Sequence, residues 1–150
     1  LPPFKLWQLL SYSFSHISIG HLFLNMFGLY MFGRSLERKL GTDKFLRHYF
    51  LCVLAAAATH ISASLILEQV GERPTIGASG GVFGLLLAYS ILFPETRLAL
   101  LLLPVTIRAK FFVVLYGCLE LFLGLSAWTT GIAHFAHLGG MIGGTIILKY

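Results

Sequence analysis

Ser79, in the tetrapeptide Gly77-Ala78-Ser79-Gly80, opens one apolar run of this chain, and His137 lies within another far downstream. A hydroxyl and an imidazole are the two halves of a nucleophile–base pair. The ring takes the hydroxyl proton as the oxygen attacks an electrophilic carbon, which is the chemistry of acyl transfer and hydrolysis. Because each residue sits in an apolar stretch, that chemistry belongs to helices inside a lipid bilayer.

Composition settles the class. The chain is 57% apolar and 11% charged, with a mean hydropathy of +0.82. A soluble domain carries roughly 25% charged residues, so these values indicate an integral membrane protein. Apolar stretches alternate with short charged or Gly/Pro breaks, the pattern of helices of about 20 residues and not of a barrel. Five spans are expected, at about 20–40, 45–67, 79–93, 111–127 and 132–148, in a single domain covering 1–150. Residues 94–110 have an apolar middle too short to span and are expected to form an interfacial or partly re-entrant loop.

Charge sets the orientation. Arg34, Arg38, Lys39, Lys44, Arg47, Arg97, Arg108, Lys110 and Lys149 fall on one side of the predicted topology, nine of the 11 basic residues, leaving only Lys5 and Arg73 for the other. By the positive-inside rule the basic side is cytoplasmic. The net charge of +5 is therefore a topology signal, and no nucleic-acid partner is expected. Residues 1–19 form no span, are rich in aromatic residues such as Trp7, Tyr12 and Phe14, and are expected to be an outer-side loop. The chain starts at Leu1 without a signal-peptide pattern, and a segment upstream is expected. Cys52 and Cys118 fall within spans and are expected to pack as small apolar residues, not as a disulfide.

The same topology brings His21, Asn25, Ser79 and His137 into the outer half of the membrane. The third span is short: about 15 residues give about 22 Å of helix against a hydrocarbon core of roughly 30 Å. With its inner end at the cytoplasmic interface, Ser79 lies submerged at a helix N-terminus, where unpaired N–H groups and positive partial charge favour a developing oxyanion. Gly77 permits the tight turn into that start. Small residues at four-residue spacing, Gly80, Gly84 and Ala88 on the third span and Ala136, Gly140 and Gly144 on the fifth, permit close helix approach. Such a stripe alone signifies packing; the flanking Ser79 and His137 give it a second meaning.

Gly77-Ala78-Ser79-Gly80, His21-Leu22-Phe23-Leu24-Asn25, Ala136-His137 with Gly140 and Gly144, and Glu37-Arg38-Lys39-Leu40-Gly41 together resemble the rhomboid intramembrane serine proteases. The resemblance implies an all-α polytopic bundle whose six-helix core lacks its first helix here. It implies a Ser79–His137 catalytic dyad without a third acid, cleaving transmembrane segments of membrane proteins. It implies that His21, Asn25 and the Ser79 N–H stabilise the oxyanion, that His16 retains water or supports the loop, and that small residues precede the cut. Two departures stand out. Gln8 replaces an arginine common after Trp7, removing charge-assisted loop contacts, and Phe83 replaces a tyrosine, keeping the ring that supports the histidine. Phe83, His16, Gly77, Gly80 and Gly140 are thus supporting positions.

Glu120 lies within the fourth span, where a charge costs about 2.5–3.5 kcal/mol at the bilayer centre, so it is expected to be protonated or paired inside the bundle. His60 and His134 are expected as polar helix contacts and His48 as an interfacial residue. No cofactor or metal is expected, and there is no His-Glu-x-x-His zinc signature. Expected partners are transmembrane substrates and the bilayer, and the expected location is a bacterial inner membrane with the active site on its outer side. Two other readings compete: a catalytically silent rhomboid-like binder, and a histidine-ligated haem or metal protein using His21, His60, His134 or His137. A lateral gate is expected at the fourth span and the 128–131 connection.

Overall fold

Local signals place the helices. The computed structural model describes residues 5–67, 75–99, 105–126 and 134–147. A short helix α1 (Gln8–Ser11) and a 3-10 turn (Tyr12–Phe14) precede α2 (Ile19–Leu40). Ser18 caps α2, its hydroxyl accepting the His21 N–H at 3.1 Å, so one of the orphan donors of the first turn is satisfied. Gly41, at φ 84°, ends it and donates its N–H to Glu37 O; a positive φ is open to glycine at little cost. Arg38 and Lys39 occupy the last turn, where cations complement the helix dipole.

Helix α3 (Thr42–Leu67) follows at once, then α4 (Ser79–Leu92), α5 (Ala109–Leu125) and α6 (His134–Ile147). Among the described residues only α3, over Thr42–Ile66, is both long and apolar enough to cross a membrane by itself, with a mean hydropathy of 1.8. Between α4 and α5 the expected apolar loop contains an element the sequence reading did not anticipate. Strands β1 (Arg97–Ala99) and β2 (Thr106–Arg108) pair antiparallel with Leu98 opposite Ile107. Leu98 is buried on the core side and Arg97 and Ala99 are exposed, the alternation that a half-buried strand requires. Outside it, Glu95 pairs with Arg108 at 3.1 Å and with Lys110. The Lys110 hydrogen bond, with help from Arg108, holds the exposed Glu95 carboxyl below the usual carboxylate range.

Contacts along the helices fix their directions. Gly77, just before α4, faces His21 near the start of α2, and Phe32 meets Tyr89 further along both at 5.4 Å; α2 and α4 run parallel. Gly80 faces Gly140 and Gly84 faces Gly144, so α6 is parallel to them. Gly80 meets Ala56 while Gly84 meets Cys52, which makes α3 antiparallel. Ser90 at the end of α4 hydrogen-bonds Ala109 O at the start of α5 at 3.1 Å, and α5 is antiparallel too. One end of the bundle therefore carries Ser79 and His137. Arg38, Lys39, Lys44, Arg97, Arg108 and Lys110 lie towards the other.

α4 is the central helix, packed on α2, α3, α5 and α6. Gly80, Gly81, Gly84, Leu85, Leu86, Ala88, Tyr89 and Ser90 are all buried, and Leu85 and Leu86 join Phe32, Leu36, Val113 and Met141 in the core. Its glycines serve two partners. A Cβ on Gly140 would fall on the Gly80 backbone, and one on Gly144 would lie 2.9 Å from Gly84 O. On the α3 side a Cβ on Gly81 would strike Tyr49 and Val53. Two helices at van der Waals distance on different sides leave no room for side chains, and this backbone approach decides where Ser79 sits. His48, expected at the interface, is instead 2% exposed, because α3 turns that face into the bundle.

Candidate functional site

Ser79 is the first residue of α4, half-buried, with the non-helical segment Thr75-Ile76-Gly77 before it. Gly77 adopts φ 111°, a value that L side chains rarely take. Its N–H is tied to Tyr12 O at 3.0 Å, and the next N–H, of Ala78, reaches His16 Nε2 at 3.4 Å. The segment before α2 thus holds the turn through two backbone donors. Tyr12 is anchored in its own right, donating its hydroxyl to Val53 O at 2.8 Å, and burial pushes that phenol well above its ordinary pKa.

His137, in the first turn of α6, is 7% exposed. Its Nε2 lies 2.8 Å from Ser79 Oγ. The two residues are 58 apart in sequence, and the glycine-on-glycine contact of α4 with α6 closes that gap. Phe83, one turn along α4 from Ser79, stacks on the His137 ring with centroids 4.2 Å apart and an interplanar angle of 7°. The ring expected to support the imidazole is therefore in parallel contact with it, and its phenyl face needs no hydroxyl to do so.

His21 and Asn25 lie against the other side of the turn. A Cβ on Gly77 would come within 2.8 Å of His21 Nε2 and 3.6 Å of Asn25 Nδ2. Asn25 is buried and donates one amide hydrogen to His21 O at 3.0 Å. A primary amide has two donors, so the second is available to a neighbour of the turn. The His16 and His21 rings meet edge to face at 5.1 Å. Every predicted site position, Ser79, His137, His21, Asn25, His16, Gly77, Gly80, Phe83 and Gly140, is thus within this one cluster or the seam beneath it. Gln8 stands apart, its side chain accepting the Lys5 N–H at 2.8 Å. The 128–131 connection lies outside the described residues.

One partner of His137 was not legible in the sequence. Glu120, on α5 and 5% exposed, places Oε2 2.9 Å from His137 Nδ1 and 2.7 Å from His134 Nδ1. Pairing of Glu120 within the bundle was expected; that its partners are His137 and His134 was not, and a carboxylate stands where the resemblance implied none. The one available signal was the presence of Glu120, His134 and His137 in two consecutive apolar segments. Glu120, His134 and His137 offer ligand atoms within 4.8 Å of one another, the one such metal-capable group among the described residues. His60 lies outside it.

The arrangement has the parts of an acyl-transfer site: a hydroxyl on a base, N–H donors beside it, and a helix start beneath. Comparison with known proteins identifies the family. The family model described as "Rhomboid domain" matches residues 3–150. "Rhomboid protein 1, mitochondrial" of Saccharomyces cerevisiae is 32% identical over 142 residues, covering 89% of this chain and 38% of the relative. "Rhomboid protease GluP" of Bacillus subtilis is 33% identical over 138 residues, covering 92% of this chain and 24% of the relative. "Presenilin-associated rhomboid-like protein A, mitochondrial" of Danio rerio is 32% identical over 141 residues, covering 92% and 36%. The chain therefore spans less than two fifths of the length of these relatives. No solved structure matches it. The expected bacterial inner membrane is not supported by these relatives, two of which are mitochondrial. A family model covering nearly every residue and relatives at about a third identity lead to one conclusion: the chain belongs to the rhomboid family of integral membrane proteins.

Proposed function

We propose that this protein is an intramembrane serine endopeptidase, with Ser79 as nucleophile and His137 as general base. The observation that carries the reading is the 2.8 Å contact between Ser79 Oγ and His137 Nε2, inside the reach proton transfer requires. The name of the Bacillus subtilis relative, a rhomboid protease, supports it. As Oγ bonds to the scissile carbonyl carbon, its proton moves to Nε2. The same proton then passes to the leaving amide nitrogen as the C–N bond breaks, and a water repeats the sequence on the acyl-enzyme.

The carbonyl oxygen becomes an anion in that step. The second Asn25 amide hydrogen, His21 and the N–H groups of the first α4 turn are the donors for it, since the first N–H groups of a helix have no intrahelical acceptor. The substrate is a transmembrane segment of another membrane protein. It must enter locally unwound, because an intact helix keeps its carbonyls hydrogen-bonded, and α5 is the side through which it enters. The site faces the non-cytoplasmic side, since the cationic residues lie at the opposite end of the bundle. Residues 1–150 act as one catalytic domain.

Labelling with a fluorophosphonate probe in detergent tests this. The wild-type protein should label, and Ser79→Ala and His137→Ala should not. Labelling that survives Ser79→Ala, or a wild type that neither labels nor cleaves a transmembrane substrate, refutes the assignment.

A further inference from the structure

Glu120 is the one buried carboxylate among the described residues, and a single oxygen of it meets two imidazoles. We propose that Glu120, steadied by His134, is a positioning residue that fixes the tautomer and ring orientation of His137; the inference rests on the hydrolytic reading above. The proton inventory assigns the roles. An ionised carboxylate oxygen only accepts, so both Nδ1 atoms, at 2.7 and 2.9 Å, must donate. A neutral His137 with its hydrogen on Nδ1 has a bare Nε2, and Nε2 is the atom that faces Ser79. The opposite tautomer would present an N–H to the hydroxyl and could not take its proton.

Charge makes the same arrangement productive in the reaction. At rest the cluster holds one negative charge, spread over two N–H donors. When the Ser79 proton arrives on Nε2, His137 becomes cationic beside Glu120, and the pair is neutral while the negative charge sits on the substrate oxygen. In a weakly polarisable interior an ion pair at this distance is far stronger than in water. The carboxylate itself takes up no proton: the hydrogen on Nδ1 stays there throughout. His134 donates to the same oxygen without joining the transfer, so Glu120 stays aimed as His137 changes charge. Phe83 confines the ring from its face, and Glu120 confines it in its plane. Between them both rotations of the imidazole are blocked.

A purely structural tie between α5 and α6 would use the same contacts, and the experiment must separate the two. In the full-length protein, kcat and KM for a transmembrane substrate are measured for wild type, Glu120→Gln, Glu120→Asp and His134→Gln, with thermal stability alongside. Glu120→Gln should lower kcat by about 10²-fold or more, as loss of an orienting acid does in serine hydrolases, with KM unchanged. Glu120→Asp should recover at least part of the loss, and His134→Gln should lose less than Glu120→Gln. In a His137→Ala background, Glu120→Gln should change the residual rate no further.

Wild-type kcat in a folded Glu120→Gln protein overturns the proposal and leaves the Ser79–His137 reading intact. A loss shared by kcat and stability in both Glu120→Gln and Glu120→Asp, with additivity over His137→Ala, overturns it in favour of a structural tie. One equivalent of zinc that co-purifies with wild type and is absent from Glu120→Gln overturns it in favour of a metal centre at Glu120, His134 and His137. If the wild type shows no hydrolysis at all, the function reading fails first, a result distinct from these.

Discussion

Replacing Gly140 with alanine tests whether backbone contact between α4 and α6 sets the distance between Ser79 and His137. The added Cβ would lie 2.7 Å from the Gly80 carbonyl carbon and 3.2 Å from Gly80 Cα, and closer still to the carbonyl oxygen. Carbon atoms pack at about 3.5–4.0 Å, so the two backbones must part by at least about 0.8 Å. No flexible side chain is available to absorb the displacement, because both sides of the contact are main chain. Ser79 is the residue before Gly80, and His137 lies one helical turn before Gly140. A 2.8 Å contact between them widened by that amount passes beyond hydrogen-bond reach, about 3.2 Å. A misplacement of about 1 Å costs on the order of 10²-fold in rate, while overpacking of this kind costs about 1–3 kcal/mol in stability. The assay is the second-order rate of fluorophosphonate labelling, with thermal stability measured on the same preparations. Gly117→Ala is the control, since its nearest neighbour outside its own helix is Met141 Sδ at an ordinary 3.7 Å; it should leave the labelling rate unchanged. Wild-type labelling and stability in Gly140→Ala would refute the claim that this seam places the pair.

Smaller perturbations at four other positions follow. Phe83→Ala removes the ring stacked on His137, an interaction worth about 0.5–1.5 kcal/mol, and should reduce kcat about 2- to 10-fold, whereas Phe83→Tyr should hold the wild-type value; equal kinetics for all three would show that the stacking is idle. Gly77→Ala imposes a positive φ on an L residue and drives its Cβ to 2.7 Å from His21 Cε1, so it should lower both stability and kcat. Gly41→Ala shares the positive φ with nothing within 4 Å and should lower stability alone, by about 1–3 kcal/mol or less. At the hairpin, the Glu95 carboxyl is held low by Lys110 and Arg108. A carboxylate lowered in the folded state adds stability above its unfolded pKa and loses it as pH falls through the folded one. The stability difference between wild type and Glu95→Gln should therefore shrink on acidification, and it should be small throughout because these side chains are exposed; a difference that grows in acid would show that the pair is not what stabilises the loop.

Much of this protein was readable before any coordinates. Hydropathy and the Gly/Pro/charge breaks outlined α2 to α6, whose ends lie within about three residues of the expected ones, because the length of an apolar run and the end of a helix are local properties of the chain. Ser79 and His137 were nominated by the types of their neighbours, and the stripes Gly80/Gly84 and Gly140/Gly144 implied which faces meet. Three things needed the tertiary structure. The hairpin within 94–110 was hidden because its pairing, Arg97 with Arg108, is a contact between segments and carries only a weak local signal. The burial of His48 depends on which way α3 is rotated, and its nearly uniform apolar surface leaves rotation undetermined by periodicity. The union of Glu120 with His134 and His137 joins residues 14 and 17 positions apart across a helix connection. A sequence states that a buried carboxylate must find a partner, since an unpaired charge in an apolar interior is too costly; which imidazole it finds is decided only when the backbones of two helices are brought side by side.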